Sequence, residues 1–237
     1  MTARRLAEIV KAGARWIVHP HDARARNLAL LTLERPQGLF QPEPTTGADR
    51  YPGIFGYVRD RLGADASARL LSFGCSSGEE IFTLRRYFPR AQIKGIDINR
   101  RNIAAARRQL RRGGGDAGLV FETAASAAAE ADGVYDAIFA MAVYRHADLG
   151  AAPESCAPLL RFVDFEASVF ELARCLAPGG LLALRHANFR FCDTRAAAGF
   201  VRVFDAPPLD VAAPIYGPDN RLLRTTAGDD GVYEKRR

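Results

Sequence analysis

Between residues 72 and 80 the chain reads Ser72-Phe-Gly-Cys-Ser-Ser-Gly-Glu-Glu80. Gly74 and Gly78 permit a tight turn and a close approach of backbone to a ligand. A helix opening near Gly78 aims amide N–H groups and the positive end of its dipole at that ligand. A dinucleotide turn asks for G-x-G-x-x-G, but Ser76 stands at the middle glycine and no third one follows. The two serines and Glu79 crowd a pyrophosphate. They suit a zwitterionic amino-acid group, with Glu79 neutralising an ammonium or sulfonium charge. A nicotinamide-nucleotide site is disfavoured on the same ground. Asp97 stands 19 residues after Gly78. An acidic residue at that distance takes a ribose diol through two hydrogen bonds. An Asp favoured by the dipole of the next helix is the plainer alternative.

These residues need a sheet to hold them. From residue 68 onward, short apolar runs alternate with helical patterns. Strands are expected at Arg69–Phe73, Gln92–Ile98, Leu119–Glu122, Val134–Ala140 and Leu181–Leu184. Helices are expected at Glu79–Phe88, Asn99–Arg112 and Asp164–Leu176, with a short helix in the Ala-rich stretch after residue 122. Phe200–Phe204 and Val232–Lys235 complete seven strands as an antiparallel hairpin with a long insert. The expectation is an α/β fold: a Rossmann-like, mostly parallel seven-stranded sheet with helices on both faces. Upstream, Thr2–Val18, Asp22–Leu33 and Ile54–Leu62 carry helical spacing, the first two separated by His19-Pro20. Seven prolines and glycines between residues 35 and 53 mark a long irregular segment. The chain thus divides into an N-terminal helical lid or cap over 1–66 and a sheet domain over 67–237. Tyr51 and Phe55 belong to the lid.

Four motifs stand in order: Leu70-Leu-Ser-Phe-Gly-Cys-Ser-Ser-Gly-Glu-Glu, Ile96-Asp97-Ile98, Tyr135-Asp-Ala-Ile-Phe and Leu176-Ala-Pro-Gly-Gly-Leu-Leu-Ala-Leu. Over about residues 68–186 the chain resembles the class I S-adenosylmethionine-dependent methyltransferases. Its glycine turn is most similar to that of the chemotaxis-receptor glutamate methyltransferases. The resemblance implies S-adenosylmethionine as cofactor. It implies that Gly74, Ser76 and Gly78 line the methionine portion, that Asp97 holds the ribose and that Ile98 flanks adenine. The adenine edge falls to Thr123–Ser126, where the family's usual Asp is absent. Met141 and Ala142 then sit beside the sulfonium and the acceptor. The candidate cofactor set is Ser72, Gly74, Cys75, Ser76, Gly78, Glu79, Asp97, Ile98, Ser126 and Met141. Met141-Ala-Val-Tyr-Arg-His146 departs from the Asn-x-x-Ile-Tyr-Phe stretch of the receptor enzymes, so cofactor binding carries over and the substrate does not.

Transfer to a hydroxyl needs a base; transfer to an ionised carboxylate does not. His146 is the first candidate base, with Tyr144 and Arg145 beside it and Arg145 suited to clamping an anionic acceptor. His186, Asn188 and Arg190, after the fifth strand, rank second. The expected activity is methyl transfer to oxygen of a small molecule or a protein carboxylate. The alternative is a non-catalytic S-adenosylmethionine sensor or partner protein.

Composition narrows the setting. The 237 residues are 48% apolar and 25% charged, as in ordinary globular domains. No apolar run reaches membrane-helix length, and no secretory leader is read at the N-terminus, so a cytoplasmic protein is expected. Cys75, Cys156, Cys175 and Cys192 form no C-x-x-C pair, which points to reduced thiols rather than zinc. The net charge of +6 comes from dispersed arginines. Nucleic acid is therefore not the expected partner.

Overall fold

The computed structural model describes residues 3–18, 21–34, 36–43, 47–63, 67–207, 213–224 and 228–237. The expected break at His19-Pro20 and the 66/67 domain boundary lie outside them. Three helices come first: α1 (Ala3–Val18), α2 (Ala23–Glu34) and α3 (Pro52–Leu62). Pro52 opens α3, where a missing N–H costs nothing. The alternating region follows as β1 (Arg69–Phe73), α4 (Glu79–Tyr87), β2 (Gln92–Asp97), α5 (Arg100–Arg112), β3 (Leu119–Thr123), β4 (Tyr135–Met141), α6 (Phe162–Cys175) and β5 (Leu176–Arg185). The strands β6 (Phe200–Asp205) and β7 (Gly231–Lys235) close the fold.

All seven strands form one sheet in the order β3-β2-β1-β4-β5-β7-β6. β1 to β5 are parallel, while β7 pairs antiparallel with both β5 and β6. The fold class read from the pattern of apolar runs is therefore the one observed. Successive strand residues face opposite layers. Leu71, Ile138, Leu182 and Leu184 meet Phe165, Val169 and Leu172 of α6. Leu70, Ala137, Phe139 and Leu181 meet Phe55 and Val58 of α3, Ile81 and Leu84 of α4, and Ile103 of α5. Each fully buried aliphatic side chain here contributes about 1.5–3 kcal/mol.

Two local expectations fail. The Ala-rich stretch after β3 forms turns, not a helix. The Arg174 guanidinium takes the carbonyls of Ala127, Ala128 and Glu130, and the Cys175 thiol also points at Ala127 O. Tertiary donors thus use the oxygens that a short helix would need. The second failure concerns Pro178-Gly179-Gly180, expected to end α6 ahead of a four-residue strand. The helix stops at Cys175 and β5 runs directly from Leu176, with a register irregularity opposite Tyr135 and Ala137.

Sheet order reverses between β1 and β4, because β2 and β3 lie on one side and β5 on the other. A ligand crevice belongs at the carboxyl ends of those two strands.

Candidate functional site

β1 ends at Phe73, and the chain turns sharply through Gly74 (φ +75°), Ser76 (φ +51°) and Gly78 (φ +96°). A Cβ on Gly74 would lie 2.4 Å from Val143 Cγ2 in the segment after β4, so the two strand ends meet only because that position lacks one. The N–H groups of Gly74 and Cys75 both donate to Ile96 O of β2. Ser76 N–H donates to Asp97 Oδ2 (2.9 Å), and Asn99 N–H donates to Asp97 Oδ1 (2.8 Å). The turn after β1 and the carboxylate ending β2 are therefore one hydrogen-bonded unit. Burial pushes the Asp97 carboxyl above its ordinary range, against the hydrogen bonds from Asn99, Ser76 and Asn102.

A cleft of about 650 Å³, counted to its open mouth, runs along this unit. Gly74, Ser76, Asp97, Ile98 and Met141 line it, joined by Asn99 and Asn102 of the α5 N-terminus and by Ala124 and Ala125 after β3. Leu31 of α2 and residues 38–43 form the opposite wall. α2 is fixed there by polar contacts. Asn27 donates to Asn102 Oδ1 (2.9 Å) and accepts from Asn99 Nδ2 (3.0 Å), and Glu34 pairs with Arg100 and Arg101. A second cavity of about 350 Å³ shares Gly74, Ser76 and Met141 with the cleft. It adds Arg50, Tyr51, Phe55, Cys75 and Glu80. Asp49 seats the segment before α3 on α4, through its N–H to Thr83 Oγ1 and through Tyr87.

The residues fit the expected cofactor. Ser76 Oγ and Tyr51 Oη are buried without a hydrogen-bond partner, Ser76 facing both cavities and Tyr51 the second. An unpaired buried hydroxyl costs free energy that a polar ligand recovers. Glu80 offers an anion to the second cavity while Ser72 Oγ donates to it at 2.7 Å. Burial drives the Glu80 carboxyl up to about 7. An ammonium of the methionine portion suits Glu80, its carboxylate suits Arg50, and the Asp97 side of the longer cleft suits the ribose.

Several sequence candidates lie elsewhere. Glu79, read as the anion of the turn, hydrogen-bonds Ser77 Oγ and lines neither cavity; Glu80 holds that place. Spacing carried this signal, since Glu80 precedes the buried Thr83 and Leu84 by three and four residues on the same helical stripe. Ser72 is fully buried and reaches the site only through Glu80. Gly78 caps α4 and packs against Phe121 and Ala106 instead of lining the cleft. Cys75 lines the second cavity, where burial pushes its thiol well up, so it is no nucleophile. Ser126 turns away and accepts from Ala128 N–H; Ala124 and Ala125 line the cleft in its stead.

The three catalytic candidates separate. Tyr144 is a core residue, 1% exposed, packed between Phe40, Phe73 and Phe165, with its hydroxyl on Ser168 Oγ at 2.8 Å. It faces no cavity. His146 caps a short turn over residues 147–151, its Nδ1 accepting from Asp148 N–H, and it lines neither cavity. Arg145 points the other way and donates to His186 Nδ1 at 3.2 Å. Of the second-rank set, Asn188 is buried and ties His146 N–H to Pro214 O, and Arg190 pairs with Asp193. His186 also lines neither cavity, but its ring packs roughly perpendicular to that of Tyr51, a residue of the second cavity, with centroids 5.7 Å apart. Among the described residues, no group of three His, Cys, Asp or Glu could hold a metal ion, and no helix is long and apolar enough to cross a membrane.

Comparison with known proteins falls on the same part of the chain. Residues 71–182 match the family model described as "Methyltransferase domain". A trans-aconitate 2-methyltransferase of Methylobacterium nodulans is 32% identical over 126 residues, which is 53% of this chain and 40% of the relative. Among solved structures, the YcgJ protein of Bacillus subtilis aligns with 56% of this chain and 50% of its own, at 18% identity and a TM-score of 0.44. Geranyl diphosphate C-methyltransferase of Streptomyces coelicolor aligns with 56% and 44%, at 16% identity and a TM-score of 0.41.

Proposed function

From the premise that residues 71–182 form a class I S-adenosylmethionine-dependent methyltransferase domain, we propose that this chain methylates an ionised carboxylate oxygen. One observation carries the choice of acceptor: the histidine beside the site is not a base. A guanidinium only donates, so Arg145 fixes His186 Nδ1 as an acceptor and leaves its proton on Nε2. Burial and the nearby Arg145, Arg185 and Arg50 charges lower the His186 pKa to about 4. Near neutral pH His186 therefore neither carries charge nor takes a proton from an acceptor.

The bound cofactor supplies an electrophilic methyl on a sulfonium; as a carboxylate oxygen forms the O–CH3 bond, the S–CH3 electron pair stays on sulfur and no proton moves. The chain's part is alignment and exclusion of water. Gly74 and Ser76 hold the turn, Asp97 takes the ribose diol, and Glu80 with Arg50 hold the amino-acid end. Met141 and Ala142 border the transfer point. Leu31 and residues 38–43 act as the lid that the N-terminal segment provides. One likeness supports a carboxylate acceptor: the relative whose name specifies trans-aconitate, an acid.

The test is transfer of a radiolabelled methyl group from S-adenosylmethionine to the acids of a cell extract. Methyl esters hydrolyse in alkali, so the label is expected to become volatile as methanol. Label that survives alkali, as on nitrogen or carbon, overturns the carboxylate assignment.

A further inference from the structure

A chain of hydrogen bonds, all running the same way, leads from the first turn of α5 to the carboxylate that ends β2. Arg101 N–H donates to Asn99 Oδ1 (3.0 Å), and Asn99 Nδ2 donates to Asn27 Oδ1 (3.0 Å). Asn27 Nδ2 donates to Asn102 Oδ1 (2.9 Å), and Asn102 Nδ2 donates to Asp97 Oδ1 (3.4 Å). A side-chain amide has one accepting end and one donating end, so each link decides which end the next one presents. The backbone N–H fixes Asn99, Asn99 fixes Asn27, and Asn27 fixes Asn102.

The last step decides what Asp97 meets. With Asn27 donating to its oxygen, Asn102 turns its NH2 group toward the carboxylate. The opposite orientation sets oxygen against oxygen. Asn99 is 2% exposed and Asn102 8%, so bulk water is poorly placed to supply a missing partner. The other two donors to Asp97 are the backbone N–H groups of Ser76 and Asn99, which the turn and the helix already hold. Among the described donors to Asp97, Asn102 is the one whose direction is set from another element.

That element is α2. Asp97, Asn99 and Asn102 belong to one local unit and line the cleft, while α2 carries Leu31 into the opposite wall. Asn27 joins the two sides. The bridge between Asn99 and Asn102 forms only while α2 lies on α5. Resting on the assignment of Asp97 to the ribose, we infer that Asn27 is a positioning residue of the cofactor site, through which the seating of α2 aims Asn102 at Asp97 and thereby strengthens the hold on the ribose diol. Coupling of this kind is reciprocal, so a bound diol also holds α2 in place.

The experiment compares S-adenosylhomocysteine with its 2′,3′-dideoxy analogue, by calorimetry on the full chain and on Asn27→Ala and Asn27→Asp. The aspartate keeps the shape and the oxygen that Asn99 needs but has no N–H for Asn102. Both variants are expected to weaken S-adenosylhomocysteine about tenfold and to leave the dideoxy analogue within about twofold of the parent. In the parent, S-adenosylhomocysteine should slow hydrogen exchange across residues 23–34 more than the analogue does at equal saturation; in Asn27→Asp the two should act alike. Equal weakening of both ligands makes Asn27 a plain tether of α2 and overturns the inference. So does unchanged S-adenosylhomocysteine affinity in Asn27→Asp, or equal protection of residues 23–34 by both ligands in the parent. Each of these leaves the methyltransferase reading standing. An analogue that binds the parent as tightly as S-adenosylhomocysteine removes the diol from Asp97, and the role of Asn27 with it. Failure of S-adenosylhomocysteine to bind the unaltered chain overturns the methyltransferase reading itself.

Discussion

Asp97 braces the turn after β1 and is also the proposed ribose ligand, and a substitution there must be read through both roles. Its carboxylate accepts from two backbone donors, Ser76 N–H and Asn99 N–H, at a buried position. Asp97→Ala leaves both unpaired, at about 1–3 kcal/mol for each orphaned donor. Urea unfolding should therefore show a lowered midpoint together with loss of S-adenosylhomocysteine binding; a variant as stable as the parent refutes the bracing role. Asp97→Asn keeps one acceptor oxygen and should recover part of the stability without the affinity. Glu80 gives a cleaner readout. Its carboxyl is raised to about 7 and must be ionised to pair with an ammonium. Binding of S-adenosylhomocysteine should weaken as pH falls below about 7, approaching tenfold per pH unit, and Glu80→Gln should be weaker but flat across the same range. A parent profile as flat as the variant's removes Glu80 from the cofactor site. At this scale the sequence was readable where the backbone imposes a residue type, as at Gly74 and Asp97. It was less readable where only side-chain direction decides. Glu79 and Glu80 are adjacent and identical, and helix phase sends one to Ser77 and the other into a cavity.

Elements were legible wherever an apolar period matched a covered face. β1 came out with both ends correct because Leu70 and Leu71 feed opposite helical layers. The Ala-rich stretch misled because alanine favours helix without anchoring one, and Arg174 of α6 decided the matter from 44 residues away in sequence. Nor does any local pattern show that Asn27 of α2 meets Asn99 and Asn102, 72 and 75 residues on. That contact has a measurable consequence. The amide pair and the Glu34 bridges to Arg100 and Arg101 are polar links that hold α2 over the cleft. Exposed ion pairs contribute little, so the amides should dominate. Asn27→Ala is expected to raise hydrogen exchange across residues 23–34 about tenfold, corresponding to roughly 1.4 kcal/mol of local stability, while exchange in β1 and β4 stays fixed. Uniform change across the sheet would mean that α2 is part of the global unfolding unit instead of a separable cover.

Across the whole molecule, the fold carries opposed proton linkages in one site. Glu80 moves from an ordinary 4.5 up to about 7, so between those values the folded chain binds more protons than the unfolded chain. Its contribution to stability therefore declines as pH rises through that window. His186 moves from 6.5 down to about 4, so there the folded chain binds fewer protons. Its contribution rises with pH over that range. Where the windows overlap, from about 4.5 to 6.5, the two slopes oppose each other. Removing either group exposes its partner. Glu80→Gln should gain stability relative to the parent progressively as pH rises from about 4.5 to 7. His186→Asn should gain relative to the parent as pH falls from about 6.5 to 4. Thermal unfolding of the three proteins across this range measures both differences, and taking each variant against the parent cancels the common contribution of other carboxylates. The sign follows from burial acting on groups of opposite charge type: desolvation favours the neutral acid at Glu80 and the neutral ring at His186. A methyl-transfer site that meets a sulfonium and a carboxylate together gains from that arrangement. Glu80 below about pH 7 and His186 above about pH 4 rest uncharged, and ligands supply the charges that the transfer then cancels. Parallel pH profiles for the parent and both variants would show that neither group is shifted and would remove the electrostatic basis for a baseless site.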